Sequence, residues 1–453
     1  MSLRLFSVAL VIPLSLLAAK SESNVTFSGD VAPILFRHCA SCHHPDDIAP
    51  MSLLTYKEAR PWAAAIREAV LTRKMPPWRA DAHFGKWSNN PSLSQAEIET
   101  IKLWAEGGAP EGDPKAMPPA PVFTPGWKIG KPDVVIAIPT QKLAASGPDE
   151  YVYITVPTNF TEDKWVVAAE LRAGNRKLVH HAHVFVVDDA RKTAIEAKAK
   201  DPAAEYGKWL LVKEGTLEYM RPDAPVIDDG CAVDDNGEFP GIKQNDLETL
   251  LSSYLPGREP DVYPEGTARR VPAGAKFHFQ IHYSHTTGKT ETDATSVGLI
   301  FAPQPPKQIA RRIDLSNNMF RIPPGDPNHL VTECHTFNKD IYVTSLTPHM
   351  HYRGKSMRIE ANYPDGHKET LLFVPEYSFN WQITYRAAEP RFLPKGTRLN
   401  IVAYFDNSAN NPLNPDPTQV VRFGAASETE MMSGWVEYVD KPPASLSAGL
   451  PQK

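Results

Sequence analysis

The 453-residue chain sets 48 lysines and arginines against 53 aspartates and glutamates, a net charge of −5. That balance gives no reason to expect nucleic acid or an anionic membrane as partner, and the length leaves room for two or three domains. The 43 prolines, nearly twice the usual share of about 5%, disfavour long helices, so strands and turns should dominate.

Residues 1–19 read as a secretory signal. Arg4 supplies the positive end, 5–17 an apolar run interrupted by Pro13 and Ser15, and Ala18 and Ala19 the small residues before a cut. No later apolar run is long enough for a membrane anchor. The expected location is therefore periplasmic or secreted, with no membrane span after signal removal.

Cys39-Ala40-Ser41-Cys42-His43 matches the c-type haem attachment pattern. Two thiols at this spacing reach both vinyl groups of one porphyrin, and the next residue falls beneath the iron. A redox CxxC pair would want a βαβ context, and zinc a second ligand pair; neither pattern is visible nearby. One covalent haem c is thus expected, bound through Cys39, Cys42 and His43. Met75, in an extended Pro-flanked loop, is favoured as its sixth ligand over Met51, which follows His43 closely and suits core packing. The other cysteines, Cys231 and Cys334, suggest a disulfide in an exported protein. Two separate buried thiols are the alternative.

Residues 25–112 carry helical signals around this motif. Thr55/Glu58 and Ser94/Glu97 are capping boxes. Trp62, Ile66, Ala69 and Val70, then Ile98, Ile101, Trp104 and Ala105, repeat at helical spacing, and Gly107-Gly108 stops the last helix. Residues 113–125 read as a Pro/Gly/Ala-rich linker. Beyond it the period becomes alternating, with strands expected at 151–156, 164–170, 179–187, 276–283, 341–346, 357–363, 398–405 and 434–439. A helical excursion is expected over 189–201 and a long loop over 223–246. The expected fold is a small all-α cytochrome c domain followed by two tandem antiparallel β-sandwich, jelly-roll-like domains, 126–302 and 303–445.

Three histidine patterns stand out in the β region. His349-Met350-His351 puts two imidazoles on one strand face. In 276–283, Phe277, Phe279, Ile281 and Tyr283 face one way, and His278, Gln280 and His282 the other. In His180-His181-Ala182-His183, spacing pairs His181 with His183. His180 and His181 point apart unless a bulge or strand end brings them together.

Taken in order, a His-His pair, a later histidine in Phe-Gln-Ile-His-Tyr, a His-x-His and a Glu-Met resemble the copper type II, ascorbate-dependent monooxygenases. That family includes peptidylglycine alpha-hydroxylating monooxygenase and dopamine beta-hydroxylase, and the likeness runs over about 122–439. The resemblance implies two coppers. His180, His181 and His282 would hold the electron-relaying one. His349, His351 and Met431 would hold the oxygen-activating one and be the catalytic set, with Met431 preferred over Met432 because it directly follows Glu430. His183 then falls outside the ligand set, to a supporting place beside it or to the surface. Two departures concern the substrate: the peptidylglycine enzyme's carboxylate-clamping arginine position is Thr347 here, and its tyrosine beyond the methionine ligand is Trp435.

The implied function is an exported copper monooxygenase that hydroxylates a C–H bond of a small-molecule or peptide substrate with O₂. Its electrons would come through the fused cytochrome c and/or from ascorbate or an external redox protein. The alternatives are a non-catalytic haem/copper electron carrier and a binding module with vacant histidines.

Overall fold

The computed structural model describes residues 25–443 except 46, 124–125, 148, 188, 190–192, 194–209, 214–215, 221–224, 234–248, 256–257 and 286. The signal segment, most of the 189–201 excursion and most of the 223–246 loop lie outside the described residues. Two units form: one from the described parts of Met1–Pro45, Met51–Thr72 and Leu93–Pro121, the other from Asp46–Pro50, Arg73–Ser92 and Val122–Lys453.

The first unit is built of short helices. Ala32–His38, Ala63–Leu71 and Gln95–Glu106 are the main ones, and both predicted capping boxes are present at Thr55/Glu58 and Ser94/Glu97. Ile98, Ile101 and Trp104 are buried together with Phe27, Leu35 and Ile66, as their spacing requires. The Trp104 indole donates to the Pro110 carbonyl at 3.0 Å, which satisfies its one polar atom inside this core.

The second unit has four principal sheets. In spatial order, the first runs Val134–Ala137, Ser296–Phe301, Lys164–Arg172, Thr267–Val271 and Gln308–Ile309, with Asp261–Val262 beside Lys164–Arg172. The second runs Glu150–Pro157, Lys276–Tyr283, Val179–Val187 and Thr249–Tyr254. The third runs Arg311–Ser316, Ser433–Val439, Ile341–His349 and Tyr385–Leu393. The fourth runs His329–Thr336, Arg398–Phe405, Gly354–Asn362 and Lys368–Val374. One apolar core draws on strands of the first two sheets and another on strands of the last two. Phe277, Phe279, Ile281 and Tyr283 are all fully buried in the former.

This corrects the expected fold class of an all-α cytochrome c domain followed by two tandem jelly-roll-like sandwiches. Strand accounts for 38% of the described residues and helix for 13%, the helices are small, and no sizeable all-α domain exists among them. The β region is one compact unit of four sheets in a four-bladed, propeller-like arrangement. The physical reason is that alternation reports which face of a strand is apolar, not which sheet covers it. Residues 73–92, expected to complete the helical part, instead pack on the sheets. Trp78 and Trp87 meet Tyr385 at 4.8 and 5.5 Å between ring centroids, and Trp87 bridges to Ala387.

Cys231 and Cys334 are disulfide-bonded across 103 residues of chain, tying the short helix Gly230–Val233 to the strand His329–Thr336. No helix among the described residues is long and apolar enough to cross a membrane. Closing so long a loop restricts the unfolded chain. The double variant Cys231→Ser/Cys334→Ser should lose about 2–5 kcal/mol of stability in denaturant unfolding. An unchanged midpoint would show that the bridge constrains nothing.

Candidate metal centre

The conflict between adjacent His180 and His181 is resolved by a β-bulge. Along the pairing of Val179–Val187 with Lys276–Tyr283, His181 lies opposite His282, but Tyr283 lies opposite Val179. His180 is therefore the extra residue, and the bulge turns its ring to the side of its neighbour. Each of His180, His181 and His282 offers one nitrogen, and the three lie within 4.8 Å of one another. His181 Nδ1 is 3.3 Å from Nδ1 of both His180 and His282.

The hydrogen-bond pattern assigns the protons. His282 Nε2 donates to the Asp149 carboxylate at 2.9 Å, which leaves Nδ1 of His282 as a lone pair. Tyr151, directly across the ladder from His282, stacks on its ring at 4.4 Å. A single proton on His181 Nδ1 cannot fully serve both facing nitrogens, whereas a cation between the three can take a lone pair from each. Burial lowers all three pKa values. For His180 the His282 charge adds to burial, and for His181 the charges of His183 and His282 do. For His282 the Asp149 carboxylate opposes the shift. Neutral imidazole is the ligand form, so the residues present fit a metal. Three imidazoles alone suit zinc, copper, iron or nickel.

His349, His351 and Met431 form a second set. His349 ends the strand Ile341–His349; His351 lies two residues on, its ring 5.4 Å from that of His349. His349 Nδ1 donates to Gln382 Oε1 at 2.7 Å, and the Gln382 amide in turn donates to the Phe379 carbonyl, which fixes its orientation. His351 Nδ1 donates to the Thr429 carbonyl at 3.2 Å. Both rings thus keep Nε2 as a lone pair. Burial pushes their pKa values down, to about 4 for His349 and about 3 for His351.

Glu430 holds this set together. Its buried carboxylate accepts from the backbone N–H groups of His351, Arg353 and Met431 at 2.7, 2.6 and 3.2 Å. Burial raises its pKa to about 8 against the pull of those donors. Met431 and Met432 differ in place: Met432 is fully buried in the core, while Met431 lines a cavity with both histidines. A thioether beside two imidazoles favours Cu(I).

That cavity, of about 290 Å³, is also lined by His181, His183, Phe379 and Trp435. His183 is buried and hydrogen-bonded to Ser253 at 2.7 Å, so it is not a surface residue. The Phe379 ring lies 6.0 Å from His180, 6.4 Å from His181 and 6.0 Å from His351, touching both sets. Thr347 bonds Thr384 at 2.9 Å, and Trp435 stacks on His349 at 4.9 Å. Sequence reasoning missed Asp149, Gln382 and Phe379. None belongs to a spaced pattern, because each meets its histidine through strand pairing or a loop return.

In the helical unit, Cys39 and Cys42 form no disulfide. Burial, with the neighbouring Cys42, raises the Cys39 thiol to about 12, unlike the acidified thiol of a redox pair. His43 Nδ1 donates to the Met51 carbonyl at 3.2 Å. That leaves Nε2 as a ligand nitrogen, and burial lowers the His43 pKa. These residues fit haem attachment. Met51 packs against this unit's core, while Met75 belongs to Arg73–Ser92 of the β unit.

No family model and no curated protein matches the chain. Among solved structures, PNGF-II is similar at 8% identity and a TM-score of 0.25, over 66% of this chain. The chain spans 60% of that protein's length. The major capsid protein P2 of bacteriophage PM2 is similar at 8% identity and a TM-score of 0.21, over 64% of this chain and 97% of that one.

Two outcomes follow from this geometry. Asp149→Asn should weaken metal binding at the His180/His181/His282 cluster about 10–100-fold in chelator competition, and an unchanged affinity would show that Asp149 does not set the tautomer. The second concerns acid. The unfolded chain protonates histidine near 6.5, whereas His349 stays neutral to about 4, so between these values the unfolded state binds more protons. Stability of the metal-free protein should therefore fall as pH drops from about 6.5 to 4. His349→Gln should make that slope shallower in thermal unfolding across the window; an identical slope would remove His349 as a contributor.

Proposed function

We propose that this chain is an exported monooxygenase that carries one haem c and two coppers and hydroxylates a C–H bond with O₂, as its resemblance to the copper type II monooxygenases implies. The observation that carries the reading is that His349, His351 and Met431 line an open cavity. An electron carrier gains by enclosing its metal in side chains. Ligands on a cavity wall leave room for a gas and a substrate.

Copper bound at such sites supplies one-electron chemistry with O₂, and haem c supplies a store for one further electron. The protein's own part is positional. Asp149 and Gln382 hold His282 and His349 with the lone pair on the ligand nitrogen. Glu430 fixes the backbone on both sides of the His₂Met set. Burial keeps the imidazoles neutral, and Phe379 stands beside both sets. Cys39, Cys42 and His43 would hold the haem, with Met75 as the sixth-ligand candidate and Met51 as its rival. Electrons would enter through the haem and/or from ascorbate. Export to the periplasm or beyond agrees with the signal-like start, the haem motif and the disulfide.

The second reading, a haem and copper electron carrier, rests on the same ligands. The two separate under turnover. The copper-loaded, desalted full chain is incubated with ascorbate, ¹⁸O₂ and a small-molecule extract, and products are read by mass spectrometry. The label should appear in an organic product and vanish with Met431→Ala. Redox cycling of haem and copper with no labelled product would favour the carrier.

A further inference from the structure

The wall of the cavity opposite in character to its histidines is cationic. Two adjacent pairs of arginines line it, Arg269-Arg270 on Thr267–Val271 and Arg311-Arg312 on Arg311–Ser316. Three of the four have partners. Arg270 pairs with Asp163 at 2.6 Å, Arg311 with Asp440 at 3.2 Å, and Arg269 donates to the Leu250 carbonyl at 3.3 Å.

Arg312 differs. Among the described residues its guanidinium makes no hydrogen bond and no ion pair; it lies over the Trp435 ring, 4.2 Å from the centroid. Its cross-strand neighbour Glu437 acts on it electrostatically, but that carboxylate accepts from Ser345 at 2.8 Å. Asp314, also on the cavity wall, is tied to Ser316 and held toward its neutral form by burial. Burial lowers the Arg312 pKa only to about 10, so the group stays cationic at neutral pH. Half-buried on the cavity wall, this planar fork of donors carries no anion and matches a carboxylate bidentately.

The rest of the wall fixes the class of ligand. Phe185, Leu250 and Trp435 form one apolar cluster, and Phe379 adds another ring. Trp435 touches both ends of the site: Arg312 lies over it and His349 stacks on it. We propose that the cavity binds a small organic carboxylate, its carboxylate on Arg312 and its apolar body against Trp435 and Phe379. The anchor comes from a different strand than the one that carries Thr347. Binding stands on Arg312 and the cavity alone; its meaning as the substrate site rests on the monooxygenase reading.

The test uses the metal-free full chain, titrated by calorimetry with phenylacetate, its amide phenylacetamide, the cation phenethylammonium and sodium sulfate. Phenylacetate should bind about tenfold or more tighter than the amide or the cation. Arg312→Gln should remove that preference, and Arg312→Lys should keep part of it. Equal affinity for acid and amide, no binding of either, or indifference to Arg312→Gln in folded protein would overturn the proposal. If Arg312→Gln fails to fold, the wild-type acid-to-amide ratio decides. Sulfate binding as tightly as phenylacetate would also overturn it, leaving a site for ions only. Repeating the titration after copper loading separates the two readings. Two coppers without acid binding would sink this proposal and spare the monooxygenase; acid binding without copper uptake would do the reverse.

Discussion

The pairing of Val179–Val187 with Lys276–Tyr283 is the constraint on which the rest depends. It sets His181 across from His282, and the one-residue register shift beside it brings His180 into the same space. Without that shift, period-two alternation would send His180 to the opposite face. The same ladder places Glu150–Pro157 on the other side of Lys276–Tyr283. Tyr151 therefore stacks on His282, and Asp149, just before that strand, reaches its far nitrogen. A local irregularity in one ladder thus creates the ligand set, and its neighbours orient it.

Burial then sets the chemistry. His181, His183, His349 and His351 are each less than a tenth exposed, and the cost of desolvating a charged imidazole keeps them neutral. His282, His349 and His351 each donate one ring N–H to a carboxylate, an amide oxygen or a backbone carbonyl, which leaves the other nitrogen with a lone pair that could take a metal. The arginine on the same cavity is the complement: a cation with no hydrogen bond and no ion pair among the described residues. Both features concentrate unmet bonding capacity in one small volume, which is how binding sites differ from core.

Much of the local structure was legible in the sequence. The two capping boxes, the apolar face of Phe277, Phe279, Ile281 and Tyr283, and the shared face of His349 and His351 follow from short-range periodicity. So do the eight strands expected, each of which overlaps an observed one. What escaped is long-range. Alternation sets His278 and His282 opposite the apolar face, where strand histidines are usually solvated, yet both are almost fully buried in a strand paired along both edges. The expected tandem sandwiches gave way to four sheets in one unit because alternation does not say which sheet covers an apolar face. The bulge at His180 could be named as one way out of a conflict, but only the register of a strand about a hundred residues away decides it. Gln382, Asp149 and Arg312 carry no motif; their roles come from where loops and sheets return.

The central claim is that two metal sites of different donor chemistry coexist in the β unit. Copper-edge X-ray absorption combined with anomalous diffraction on the copper-loaded, ascorbate-reduced full chain measures this most directly. The account predicts two copper peaks. One lies among His180, His181 and His282 with nitrogen and oxygen neighbours only; the other lies beside His349 and His351 with a sulfur neighbour that disappears in Met431→Ala. A single peak, or two peaks without sulfur, would contradict it.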